Sequence, residues 1–258
     1  MDLKLGGKKV VITGGSRGIG FACAELFAEE GCQVTVVGSN EASVAHAALR
    51  LRAVYSATID ALCVDLGHPD GVGRLAKTLR ESDIVVNNAG SIPGGGLDTV
   101  DDSTWRASWD LKVFGYINAS REALPAMIDR GRGVIINIIG IAGASPRYDY
   151  LCGSMANSAL ITFTRAAGAY AANKGVRVVG INPGPTETDR LVSLYKSRAQ
   201  QRFGDESKWQ EMLVHLPFGR PAKPGEIADL VVFAASARAS YLSGVVIDAD
   251  GGAMYSDR

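Results

Sequence analysis

The chain has 258 residues, 47% of them hydrophobic and 21% charged, with 27 basic side chains balanced by 27 acidic ones. One hydrophobic core can still serve a chain of this length, so a single unit over residues 1–258 is expected. The zero formal net charge gives no electrostatic reason for a nucleic-acid or anionic-membrane partner.

The N-terminal residues run directly into an apolar strand without the apolar stretch and small-residue cleavage site of a signal peptide, and a cytoplasmic protein is the expectation. The longest stretch of low polarity, Gly133 to Ser145, is short of the ~20 residues that cross a bilayer. Gly133, Asn137, Gly140 and Gly143 interrupt it, so it reads as a buried strand and its exit loop. Cys23, Cys32, Cys63 and Cys152 include no Cys-x-x-Cys pair. They indicate buried, reduced thiols rather than zinc ligands or disulfides.

Strands are expected at Lys9–Thr13, Gln33–Gly38, Ala61–Val64, Ile84–Asn87, Val134–Ile139, Val176–Ile181 and Val245–Asp248, with helical apolar spacing between them. Continuous apolar strands suit a parallel sheet covered on both faces. Alternating strands and helices build βαβ units, so the expected fold is α/β, a single doubly wound parallel sheet with helices on both faces. The polar stretch Asp189 to Lys208 fits either a surface helix or a mobile lid.

The first strand ends in Thr13-Gly14-Gly15-Ser16-Arg17-Gly18-Ile19-Gly20 and passes into a helix. Glycines there allow a tight turn and bring backbone N–H groups close to a pyrophosphate at the positive end of that helix. Thr-Gly-x-x-x-Gly-x-Gly resembles the cofactor loop of short-chain dehydrogenases/reductases, and further motifs of that family follow in order along most of the chain. Asp65 and Leu66 resemble the segment at the adenine, and Asn87-Asn88-Ala89-Gly90 resembles the turn that passes the adenosine ribose. Pro183-Gly184, with Thr186 and Thr188, resembles the segment that holds the nicotinamide carboxamide. Phe218-Gly219-Arg220-Pro221, Glu226-Ile227-Ala228 and Asp250-Gly251-Gly252 resemble the family's C-terminal elements. The resemblance implies a Rossmann-like dinucleotide site. Within it, the second strand ends in Gly38-Ser39-Asn40, without the carboxylate that grips the ribose hydroxyls of NAD. With Arg17 beside it to pair with a 2′-phosphate, NADP(H) is favoured over NAD(H).

The family transfers hydride with an Asn, a Ser and a Tyr-x-x-x-Lys pair. By resemblance, Gly140 takes the place of the serine. Thirteen residues later, Gly153 takes that of the tyrosine, and Asn157 takes that of the lysine against the cofactor ribose. Asp110 is assigned to the place of the asparagine. Without a phenol and a lysine, the family's acid–base route is lost, and such catalysis is typically worth about 10²–10⁴-fold. Tyr150, one helical turn before Gly153, is the candidate replacement proton donor; the alternative is an aromatic wall of the substrate pocket. Asp110, expected to lie beside Asn157, is a second candidate, as a base or as a simple hydrogen-bond partner. Ser154 and Ser158 are expected to be structural, and His46, His68 and His215 to lie away from the chemistry.

Two principal readings stand. One is an NADP(H)-preferring oxidoreductase of an alcohol or ketone with a non-standard acid–base arrangement. The other is a catalytically degenerate dinucleotide-binding protein, a sensor or an inactive subunit. A redox-free lyase on the same fold is a third. Resemblance implies a small-molecule substrate and a homo-oligomer, a tetramer or dimer. The substrate pocket is expected from Ile92–Leu97, Tyr148–Cys152 and Thr188–Leu216, with no metal.

Overall fold

A computed structural model describes residues 2–255; Met1 and the last three residues, also assigned above to the single unit, lie outside the described residues. Seven parallel strands form one sheet in the order β3-β2-β1-β4-β5-β6-β7. They are β1 Lys9–Thr13, β2 Gln33–Gly38, β3 Ile59–Cys63, β4 Ile84–Asn87, β5 Gly133–Ile138, β6 Val176–Pro183 and β7 Val246–Ala249. The helices are α1 Gly18–Glu29, α2 Glu41–Val54, α3 Gly71–Glu81, α4 Asp102–Trp109, α5 Gly115–Asp129, α6 Leu151–Ala172, α7 Asp189–Phe203 and α8 Pro224–Ala235.

Pleating sends alternate residues of each strand to opposite faces. Val10 and Ile12 of β1 pack under α1, α2 and α8, whereas Val11 packs with Leu75 and Leu79 of α3 and Ala119, Ala123 and Met127 of α5. Both faces are covered, which is why the strands are apolar throughout. Each fully buried large aliphatic such as Ile12 or Ile135 contributes about 1.5–3 kcal/mol. The strand order reverses between the paired strands β1 and β4, so the connections that leave their C-terminal ends pass to opposite faces of the sheet and open the crevice in which such sheets bind ligands.

A ladder of buried amides lies beneath that crevice. Asn87 Nδ2 donates to Asn137 Oδ1 at 2.9 Å, and Asn137 Nδ2 donates to Thr164 Oγ1 at 2.9 Å. The ladder ties β4, β5 and α6 together at one depth, each bond contributing about 1 kcal/mol. It fixes the floor from which the candidate site rises.

Candidate functional site

The glycine loop is built by close contact. Gly14 has φ of 63°, and a Cβ at Gly20 would sit 2.2 Å from the Gly14 carbonyl oxygen and 2.4 Å from Asn88 Nδ2. Only hydrogen fits there. Asn88 Nδ2 donates to the carbonyls of Thr13 and Gly14 at 3.1 and 2.9 Å, and Thr13 Oγ1 accepts from the N–H groups of Asn88 and Ala89. The amide side chain of Asn88 therefore pins the loop to the end of β4. No side chain caps the first turn of α1, which leaves its leading N–H groups free for an anion. Ser16, Gly18 and Ile19 are half-buried along this turn.

At the other end of the loop Arg17 and Ser39 are exposed. The Ser16 hydroxyl faces Gly38, 3.4 Å from where its Cβ would stand. Asn40 caps α2 through its oxygen, which accepts from Ser43 N–H at 2.9 Å, so no carboxylate ends β2. Asp65 is exposed and folds back on Gly67 N–H at 2.9 Å, and Leu66 is buried beside it. These groups form an edge able to meet an adenosine phosphate.

On the opposite wall β6 leads into Pro183, Gly184, Thr186 and Thr188. Thr186 Oγ1 donates to the Gly184 carbonyl at 3.0 Å, and Thr188 caps α7. The Thr188 methyl lies 3.1 Å from the Cβ position of Gly18, so the nicotinamide-type segment closes against the glycine loop. The uncapped helix, the glycine cradle and this facing segment fit a dinucleotide.

Gly140 follows β5 with φ of 134°, a conformation that a serine would resist. The Cβ position of Gly140 is 2.9 Å from Asn157 Nδ2. A Cβ on Gly153 would meet the Tyr150 ring at 2.1 and 2.2 Å, so Tyr150 lies in the space that a side chain at 153 would need. The Tyr150 hydroxyl accepts from Arg190, whose other contacts are the carbonyls of Ile92 at 3.2 Å and Gly90 at 3.5 Å. Burial pushes the phenol up and the guanidinium pulls it back. Asn157 is buried and its Oδ1 has no partner.

Asp110 makes no side-chain hydrogen bond to the buried Asn157 among the described residues. It is exposed at the start of a π turn, Asp110–Phe114, in which the Gly115 N–H reaches back five residues to the Asp110 carbonyl. Two residues of that turn are buried, Val113 and Lys112; Lys112, 6% exposed, lays its stem against Gly90 and its Nζ donates to the Ile139 carbonyl at 2.8 Å. Burial, then Arg190, push this amine down to about 7. Neither Lys112 nor Arg190 was singled out from sequence. A signal for Lys112 existed, since it lies four residues after buried Ser108 and four before buried Tyr116, on one helical face.

The Asp189–Lys208 stretch is mostly α7, and it closes on the cleft. Besides the Arg190 contacts, Arg198 pairs with Asp149 at 2.8 Å. A groove of about 510 Å³, bounded by Ser91, Ile92, Pro93, Ala107, Leu111 and Arg190, opens next to it. Ser154 bonds to the Arg147 backbone and Ser158 to the Gly143 carbonyl, both structural contacts. The three histidines are exposed. Cys23, Cys32 and Cys152 are buried free thiols and Cys63 is half-buried; burial raises Cys32 to about 12. Among the described residues no helix is long and apolar enough to cross a membrane, and no cluster of three or more His, Cys, Asp or Glu is placed to hold a metal.

The chain belongs to the short chain dehydrogenase family, whose model matches residues 8–199. It is 33% identical to the 3-oxoacyl-(acyl-carrier-protein) reductase of Chlamydia muridarum, over 98% of this chain and 99% of that one. It is 31% identical to the galactitol 2-dehydrogenase (L-tagatose-forming) of Cereibacter sphaeroides, over 96% of each. The L-sorbose reductase of Gluconobacter frateurii, solved with NADPH and L-sorbose, superposes with a TM-score of 0.91 at 31% identity, covering all of both chains.

Proposed function

We propose that this protein is an NADP(H)-preferring oxidoreductase that interconverts an alcohol and a ketone, with Tyr150 as the proton donor in reduction. The carrying observation is the position of Tyr150, whose ring lies over Gly153 and whose hydroxyl meets the Arg190 guanidinium. A cation beside a phenol stabilises the phenolate that forms once its proton is given up. Arg190 thereby serves the purpose of a neighbouring lysine, from α7 rather than α6. NADPH, when bound, supplies the hydride. The uncapped start of α1 holds its pyrophosphate, the exposed Arg17 meets its 2′-phosphate, Ser39 and Asp65 flank the adenosine, and Thr186 and Thr188 face the nicotinamide end. Asp110, exposed and unconnected to Asn157, has no part in the reading.

The whole chain works as one unit in this reading and assembles as a homo-oligomer, which the strongly exposed rings of Phe218 and Tyr241 support. The test is NADPH-linked turnover of a panel of ketones. Tyr150→Phe is expected to lower kcat about 10²–10⁴-fold while NADPH affinity holds. Unchanged turnover removes Tyr150 from the chemistry. Tight NADPH binding without turnover of any ketone or alcohol favours the degenerate, dinucleotide-sensing reading.

A further inference from the structure

Two buried polar groups in the cleft are incompletely satisfied. The Lys112 ammonium has three protons to donate, and the Ile139 carbonyl is its one hydrogen-bond acceptor among the described residues. No carboxylate among them pairs with it. The charged groups around it are Arg190 from α7, which repels it, and Asp110, exposed on its own turn. The neutral titratable neighbours are Tyr116, whose ring centroid is 5.7 Å from Nζ, and Tyr150, held by Arg190. Burying a lone ammonium costs several kcal/mol, and the fold tolerates it here.

The second group is Asn157, 3% exposed, whose Oδ1 accepts nothing while Nδ2 faces Gly140. Ile139, which holds the ammonium, and Gly140, which faces the amide, are consecutive. A surplus donor and an orphan acceptor thus flank one bend of backbone beside Gly90. A ligand group that completes both must accept and donate at once. A carboxylate accepts from Lys112 but repels Asn157 Oδ1, and a carbonyl cannot donate. A hydroxyl does both.

We infer that Lys112 and Asn157 together bind a sugar-type hydroxyl, the Lys112 ammonium donating to its oxygen and Asn157 Oδ1 accepting its proton. The inference rests on the oxidoreductase reading, which gives this hydroxyl two sources: the nicotinamide-side ribose of the dinucleotide or a polyol substrate. Lys112 is then a binding residue reaching across from the π turn, on the wall facing α6.

Isothermal titration separates the cases. Wild type, Lys112→Met and Asn157→Ala are titrated with NADPH, with 2′,5′-ADP, which lacks the nicotinamide ribose, and, after saturation with NADP⁺, with galactitol. Lys112→Met keeps the apolar stem, and the expected result is NADPH affinity lower by about tenfold to a hundredfold, with 2′,5′-ADP unchanged. Galactitol affinity that falls while NADPH affinity holds assigns the hydroxyl to the substrate and still supports the pair. Unchanged affinity for both overturns the inference and leaves the pair to a bound water, with the oxidoreductase reading intact. Wild type that fails to bind NADPH overturns that reading itself, and the inference with it. If Lys112→Met also loses 2′,5′-ADP, its fold is damaged and Asn157→Ala decides by the same criteria.

Discussion

Adding one methyl group at Gly153 tests whether Tyr150 occupies the space above it. The new Cβ stands 2.1 Å from Tyr150 Cε1 and 2.2 Å from Cζ, whereas carbon atoms rest about 3.5–4.0 Å apart. The ring must move by more than an ångström and loosen its bond to Arg190. Overpacking of this kind costs about 1–3 kcal/mol. Alanine in place of helical glycine returns about 0.5–1 kcal/mol, at the low end here because residue 153 lies in the first turn of α6. Gly153→Ala is therefore expected to destabilise the wild type by about 0.5–2.5 kcal/mol. In a Tyr150→Ala background the obstruction is gone and the same substitution is expected to stabilise by about 0.5 kcal/mol. Urea denaturation of the four proteins at a common slope gives both differences and their coupling. Stabilisation of equal size in both backgrounds would show that the ring is elsewhere and that Gly153 is open, which refutes the geometry on which the Tyr150 assignment rests.

Two further outcomes are expected. Arg17→Ser should weaken NADPH about tenfold to a hundredfold, the worth of a charge-assisted contact to phosphate, and leave NADH unaffected; titration with both cofactors checks it, and equal losses would place Arg17 outside the discrimination. Lys112→Met should raise stability at neutral pH. The folded amine is pushed down to about 7 from 10.5, so between those values the unfolded chain binds the proton that the native state refuses, and wild-type stability rises with pH across that window. The gap between Lys112→Met and wild type should be several kcal/mol near pH 7 and close towards pH 10.5. A gap independent of pH would mean that Lys112 carries no unpaired charge.

Most of the architecture was readable from residue types. β1, β2 and β4 begin and end where their β-branched runs do, because central strands of a covered parallel sheet admit little else. β3 starts two residues before the expected Ala61, at Ile59, and includes Asp60. An edge strand has one solvated flank and tolerates that charge, so the apolar run understates its length. The glycine loop and the Pro183–Thr188 wall were legible because close backbone approach leaves few alternatives to glycine and proline. The surroundings of Lys112 and Arg190 were not. Asp110 takes the family asparagine's place by resemblance, yet in the π turn it is exposed while Lys112 and Val113 are buried. Arg190 carried no signal at all, since its contacts depend on how α7 folds over a cleft a hundred residues away in sequence.

The clamp that Asn88 places on the glycine loop bears on the thermodynamics of ligand capture. A glycine-rich turn free in solution would surrender a large conformational entropy on gripping a phosphate, because glycine has the most freedom to lose. Here two carbonyls of the turn are already tied to β4 through one amide, and the ordering has taken place during folding. Association then resembles docking onto a rigid surface, with little reorganisation of the protein and little loss of affinity to it. The rigidity is supplied by a side chain that need never touch the ligand.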